Sequence, residues 1–183
     1  MIEIDETYFS NEPVYLTGLK QSNGYSSDVS GENLSALNKA LNRFTKAYLK
    51  QLLGSDVYSE YDADKENPKW DSLKTVLIND EDKISPIANY VYFFFRHENN
   101  VVSGSTGDFI DKMDNMQSVT IAHKLANAWN VGVCLNEIVC KWILDNIINA
   151  ETPVIELENS INVEGWYNSD GLLKHKSMLG MFI

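Results

Sequence analysis

The chain is expected to fold as a mainly α-helical bundle of about four helices over residues 33–150. An extended arm at 1–32 and a tail at 151–183, able to form a small β-hairpin, flank it. Two stripes of apolar residues at helical spacing, within 34–52 and 119–147, supply the frame. Between them stands a block that is apolar almost all round, Ile87-Ala-Asn-Tyr-Val-Tyr-Phe-Phe-Phe-Arg96. It is shorter than the roughly 20 apolar residues a membrane span needs. It is too apolar for a surface helix, so it belongs at the buried centre of the bundle.

Residues 1–32 lack helical periodicity and carry Pro13, Gly18, Gly24 and a Ser/Asn-rich run, which reads as an arm with a short strand at Val14–Thr17. The first helix is expected from Glu32 to Leu53, because Leu34, Leu37, Leu41, Phe44, Tyr48 and Leu52 form one stripe. Gly54 stands where a left-handed helix end belongs. Ser55 to Pro68 is an acidic segment read as a solvated loop. A short helix over Trp70–Leu77 would turn Trp70, Leu73, Val76 and Leu77 inward. Ser85-Pro86 then supplies a side-chain cap followed by a residue with no amide to satisfy, starting the aromatic helix that runs to Glu98.

The link from Asn99 to Asn115 shows no helical pattern, and connections this long are commonly functional. A last helix spans Ser118–Asn149, with Trp129 and Trp142 as core anchors and Gly132 as a point where it can kink or break. Pro153-Val-Ile-Glu-Leu-Glu158 alternates apolar and acidic like an edge strand, and Ile161–Val163 is placed to pair with it.

A net charge of −11, from 26 acidic and 15 basic residues, argues against an electrostatic grip on nucleic acid. Cys134 and Cys140 are six residues apart on one helix, roughly 240° around its axis, and read as two small buried hydrophobes. The acidic start lacks the basic and apolar regions of a secretion signal, so synthesis and assembly in the cytoplasm are expected.

No catalytic group is convincing. Asp62-x-Asp64-x-Glu66 has the alternation of a calcium loop but carries Asn67 where glycine and Leu73 where glutamate belong. Ser103-Gly-Ser-Thr-Gly107 lacks the lysine of a phosphate-binding loop and reads as a turn or contact loop. His97, His123 and His175 lie in three different elements without a second ligand at helical spacing. Asp108, Asp111, Lys112 and Asp114 crowd the end of the link, where carboxylates complement a helix start. No enzyme activity, metal or cofactor is expected.

The block Tyr90-Val-Tyr-Phe-Phe-Phe-Arg96, the link carrying Ser105-Thr-Gly107, and Asn127-Ala-Trp-Asn130 in the last helix together form a pattern. Over about residues 35–150 it resembles a family of helical virion proteins in phages of Bacteroidetes, including crAss-like phages, of the head–tail connector or portal-ring type. The resemblance implies a ring, commonly of about twelve subunits, set below the portal of a tailed phage. The chain's partners would be itself, the portal protein and adjacent tail or ring proteins, with DNA passing through unbound and no membrane involved. The arm, the link and the tail would make the assembly contacts, with Val101, Thr106 and Phe109 on the link and Leu179, Met181, Phe182 and Ile183 on the tail. The alternative reading is a monomeric acidic cytoplasmic protein, either a binding module or a small enzyme.

Overall fold

The computed structural model describes residues 1–16, 27–99, 101–104, 107–110, 118–168 and 171–176. The protein is a mainly helical bundle, with five α-helices among the described residues. These are α1 (Ser27–Leu53), α2 (Ser55–Ala63), α3 (Asp71–Leu77), α4 (Pro86–Asn99) and α5 (Ser118–Ile143), which continues as a π-helical turn over Leu144–Ile148. One antiparallel hairpin joins β1 (Val101–Gly104) to β2 (Gly107–Ile110), with Val101 opposite Ile110 and Val102 opposite Phe109.

Helix α4 lies between α1 and α5 and packs along both. That position accounts for its composition, since a helix covered on two sides needs apolar side chains on two sides. Phe94 stacks on Phe44 of α1 with ring centroids 5.3 Å apart, and Tyr90 meets Tyr48 edge-on at 5.5 Å. On the other side Phe93 meets Trp129 of α5 at 4.9 Å. Ser85 Oγ accepts the Ile87 N–H at 3.2 Å, as the Ser-Pro start predicts.

Gly132 does not break α5, which runs unbroken from Ser118 to Ile143. It lets α4 approach closely: a Cβ at 132 would stand 2.9 Å from the Asn89 Cβ. At the end of α1, Gly54 adopts φ +82° and its N–H reaches the Lys50 carbonyl at 2.9 Å.

Several expectations are corrected. The acidic stretch after Gly54 is helix α2 as far as Ala63, because Val57, Tyr58 and Tyr61 are buried on its inner face, and only 64–67 is a loop. The first sixteen residues are not an extended arm and contain no strand. A 3₁₀ turn at Glu6–Phe9 docks on the body, burying Ile2, Tyr8, Phe9, Val14 and Leu16. The Tyr8 hydroxyl donates to Asp80 at 2.6 Å, and α1 begins at Ser27, not Glu32. The hairpin lies at 101–110, not at 153–163, and no strand forms between 151 and 168. There the chain runs over the bundle without strands and ends in a 3₁₀ turn at Val163–Tyr167, with Ile155, Ile161 and Trp166 buried and the Trp166 indole donating to the Leu52 carbonyl at 2.7 Å. That bond satisfies one of the carbonyls left open at the end of α1.

Candidate functional site

Among the described residues, α4 and α5 close a clamp around the segment Gly171–Lys176. Its floor is the aromatic block. Phe93, Trp129 and Val133 form a buried cluster, with Tyr90, Phe94 and Leu125 packed against it. Helical spacing explains the grouping: Tyr90, Phe93 and Phe94 share one face of α4, and Leu125, Trp129 and Val133 one face of α5.

Three side chains of α5 grip main-chain atoms of the segment. The Trp129 indole donates to the Lys174 carbonyl at 2.6 Å. Asn130 uses both ends of its amide: it donates to the Lys176 carbonyl at 3.0 Å and accepts the Lys176 N–H at 2.8 Å. This is the bond pair one strand residue offers another. Asn136, buried, donates to the Leu172 carbonyl at 3.0 Å and accepts the Tyr48 hydroxyl at 2.7 Å.

The segment returns two side chains. Leu172 is fully buried. Lys176 is 5 % exposed, and its ammonium lies 3.6 Å from the Phe93 ring centroid and 4.1 Å from that of Trp129. A cation held between two aromatic faces away from water contributes about 2 kcal/mol. Asn89 completes the framework from α4, donating to the Ala128 carbonyl at 2.7 Å across the close approach at Gly132.

The electrostatics of the described titratable groups follow from structural pairing and burial. Asp62 binds Lys65 at 2.8 Å and accepts from Tyr58, which together hold its carboxyl below the usual range. Asp64 accepts from Asn67 instead of converging with Asp62 on a common point. Asp80 is likewise held low, first by the Tyr8 hydroxyl. Burial raises Tyr48 well above its ordinary value and pushes the Cys140 thiol up to about 12. Cys134, expected to be buried, is exposed. His97, His123 and His175 are exposed on three elements, and among the described residues no three His, Cys, Asp or Glu side chains gather into a metal-ligand group.

Among the described residues, two grooves lie on the bundle. One, of about 330 Å³, runs between residues 1–5 and helices α1 and α2, past Asn38, Lys46, Tyr58 and Lys65. The other, of about 490 Å³, is polar and lies where Lys50, Gln51 and Ser55 face Asn162 and Asn168.

Of the residues expected to make assembly contacts, Val101 and Phe109 fall on the two strands of the hairpin. Thr106, Leu179, Met181, Phe182 and Ile183 lie outside the described residues. Asn136 and Lys176 are not singled out by the sequence, Tyr48 stands out only as part of the α1 stripe, and Asn89 only as part of the aromatic block. The available signal was a polar residue at an apolar position, since Asn89 and Asn136 each interrupt the buried face of a helix.

No family model matches the chain, and comparisons with curated proteins and with solved structures found no match.

Proposed function

We propose that this chain is a structural subunit of a tailed-phage virion, a ring-forming head–tail connector below the portal that works by assembly and not by catalysis. One coincidence carries the reading. The residues on which the resemblance rests, Tyr90–Arg96 and Asn127–Asn130, include those that fasten the segment 171–176: Phe93, Trp129 and Asn130. A rigid helical body that fixes its own peripheral segment at a defined point is suited to handing the residues beyond it to a neighbour. The net charge of −11 supports the same reading, because an acidic lumen repels passing phosphate.

The test is mass spectrometry of purified virions of a phage encoding the chain, joined to cryo-electron microscopy of the portal vertex. A symmetric ring of this helical fold under the portal is the expected result. Absence of the chain from intact virions would overturn the proposal and favour the monomeric binding module.

A further inference from the structure

Among the described residues, Lys176 is the single lysine, arginine, aspartate or glutamate that is buried. Taking an ammonium out of water is costly unless its surroundings replace the lost hydration. Here they do. The ammonium lies 3.6 Å from the Phe93 ring centroid, 4.1 Å from that of Trp129 and 6.0 Å from that of Phe94, all within cation–π reach. Phe93 and Trp129 meet at 62°, so their faces form the two walls of a corner. Asn130, the residue after Trp129, binds both the N–H and the carbonyl of Lys176. Three side chains thus engage the ammonium, the donor and the acceptor of one residue. Its neighbours are treated differently: Lys174 is half-buried and gives α5 its carbonyl, and His175 is exposed.

The corner also stands apart from the main core. Phe93, Trp129 and Val133 make a buried cluster of their own, whereas Leu172 belongs to the large one. The segment therefore has two separate anchors. The inner one is Leu172, backed by the Leu173 N–H bond to the Trp166 carbonyl at 3.2 Å. The outer one is Lys176. A local opening of the outer end alone leaves the inner anchor in place and needs less free energy than global unfolding. It bares two ring faces and both ends of the Asn130 amide, a receptor for a cation and for the main chain that carries it.

We propose that Phe93, Trp129 and Asn130 form a lysine-recognition site, which the chain fills with its own Lys176 as a latch. Once vacated, the site takes an alkylammonium group carried on an extended main chain. It is defined by contacts within one chain and is independent of the virion reading.

Two variants of the full chain test this. Lys176→Met keeps an apolar stem and removes the charge. Hydrogen exchange of the main-chain amide at 176, relative to its intrinsic rate, should quicken roughly 30-fold, the factor that a desolvated cation–π contact supplies. The amides of the bundle should be unaffected. Lys176→Ala empties the corner, and N-acetyl-lysine N-methylamide titrated into it should shift the Trp129 indole and Asn130 side-chain N–H resonances. N-acetyl-norleucine N-methylamide, a neutral probe with a similar stem, should leave them in place at the same concentration. An amide as well protected in Lys176→Met as in the wild type would overturn the latch, and that measurement decides alone if Lys176→Ala does not fold. Equal shifts from both probes would reduce the site to an apolar hole. No shift from the lysine probe, with helical circular dichroism retained, would overturn recognition.

Discussion

The Tyr48 hydroxyl donates to Asn136 Oδ1 at 2.7 Å, and both residues are buried. Through the other end of the same amide, α1 and α5 together hold the carbonyl of Leu172, a residue 36 positions further along the chain. One buried amide thus couples two helices and the clamped segment, with both of its ends satisfied.

Removing half of this arrangement should cost more than removing a surface bond. Tyr48→Phe strands the Asn136 oxygen in a buried site, and a loss of about 1–3 kcal/mol is expected. Urea unfolding measures it. Pairing Tyr48→Phe with Asn136→Leu should cost less than the sum of the two single changes, because the stranded oxygen goes with the amide. Strict additivity would show that the two residues do not act together.

Asn130→Ala deletes two hydrogen bonds to Lys176 without opening the bundle core. At about 1 kcal/mol per bond, the segment should open roughly 30-fold more often. Trypsin cleavage after Lys174 and Lys176 should accelerate accordingly, while the global unfolding midpoint moves little. Equal cleavage rates in the two proteins would mean that Asn130 does not fasten the segment.

Gly132→Ala separates helix propensity from packing. In an exposed helix the change stabilises by about 1 kcal/mol. Here the new methyl would stand 2.9 Å from Asn89 Cβ, so helices α4 and α5 must part. A net destabilisation of about 1–3 kcal/mol is expected from overpacking, with helical circular dichroism retained. A stabilised variant would show that the two helices are not in such close contact.

Alkaline pH should destabilise the protein through several groups whose pKa values burial raises, Tyr58, Tyr61 and Tyr92 as well as Cys140 and Tyr48. Cys140 rises from an ordinary 9.0 to about 12, and Tyr48 rises from 10.0, both because burial disfavours the charged form. The folded state holds each proton more tightly than the unfolded chain does. Stability is therefore full below pH 9 and falls as pH rises, through Cys140 between 9 and about 12 and through Tyr48 above 10. The slope is at most about 1.4 kcal/mol per pH unit and group. Chemical denaturation between pH 8 and 11 should show this, and Cys140→Ala should remove the part that begins near pH 9. A flat profile would contradict the burial of both groups.

Long helices with apolar stripes were legible because periodicity and punctuation agreed. Leu37, Leu41, Phe44, Tyr48 and Leu52 are all buried on α1, Gly54 ends it, and Ser85-Pro86 starts α4. Helix α2 was hidden because five acidic residues between 56 and 66 dilute a short inner face of Val57, Tyr58 and Tyr61. The alternation at Pro153–Glu158 misled for a different reason. Ile155 is buried and Leu157 half-buried, as in a strand, but among the described residues that stretch pairs with no strand. The clamp was the least legible feature. Trp129 and Asn130 stood out in the sequence, yet their partners are carbonyls and an N–H, which every residue but proline carries.

A grip on main-chain atoms divides the burden of inheritance unequally. At Lys174 and His175 many residues could be exchanged without loosening the hold, since what α5 grasps there is a Lys174 carbonyl that all amino acids share. Trp129, Asn130 and Asn136 have no such latitude, because each supplies the one shape that reaches. The hold therefore depends on those three side chains and on the two that the segment itself buries, Leu172 and Lys176, and not on the side chains of Lys174 and His175 between them.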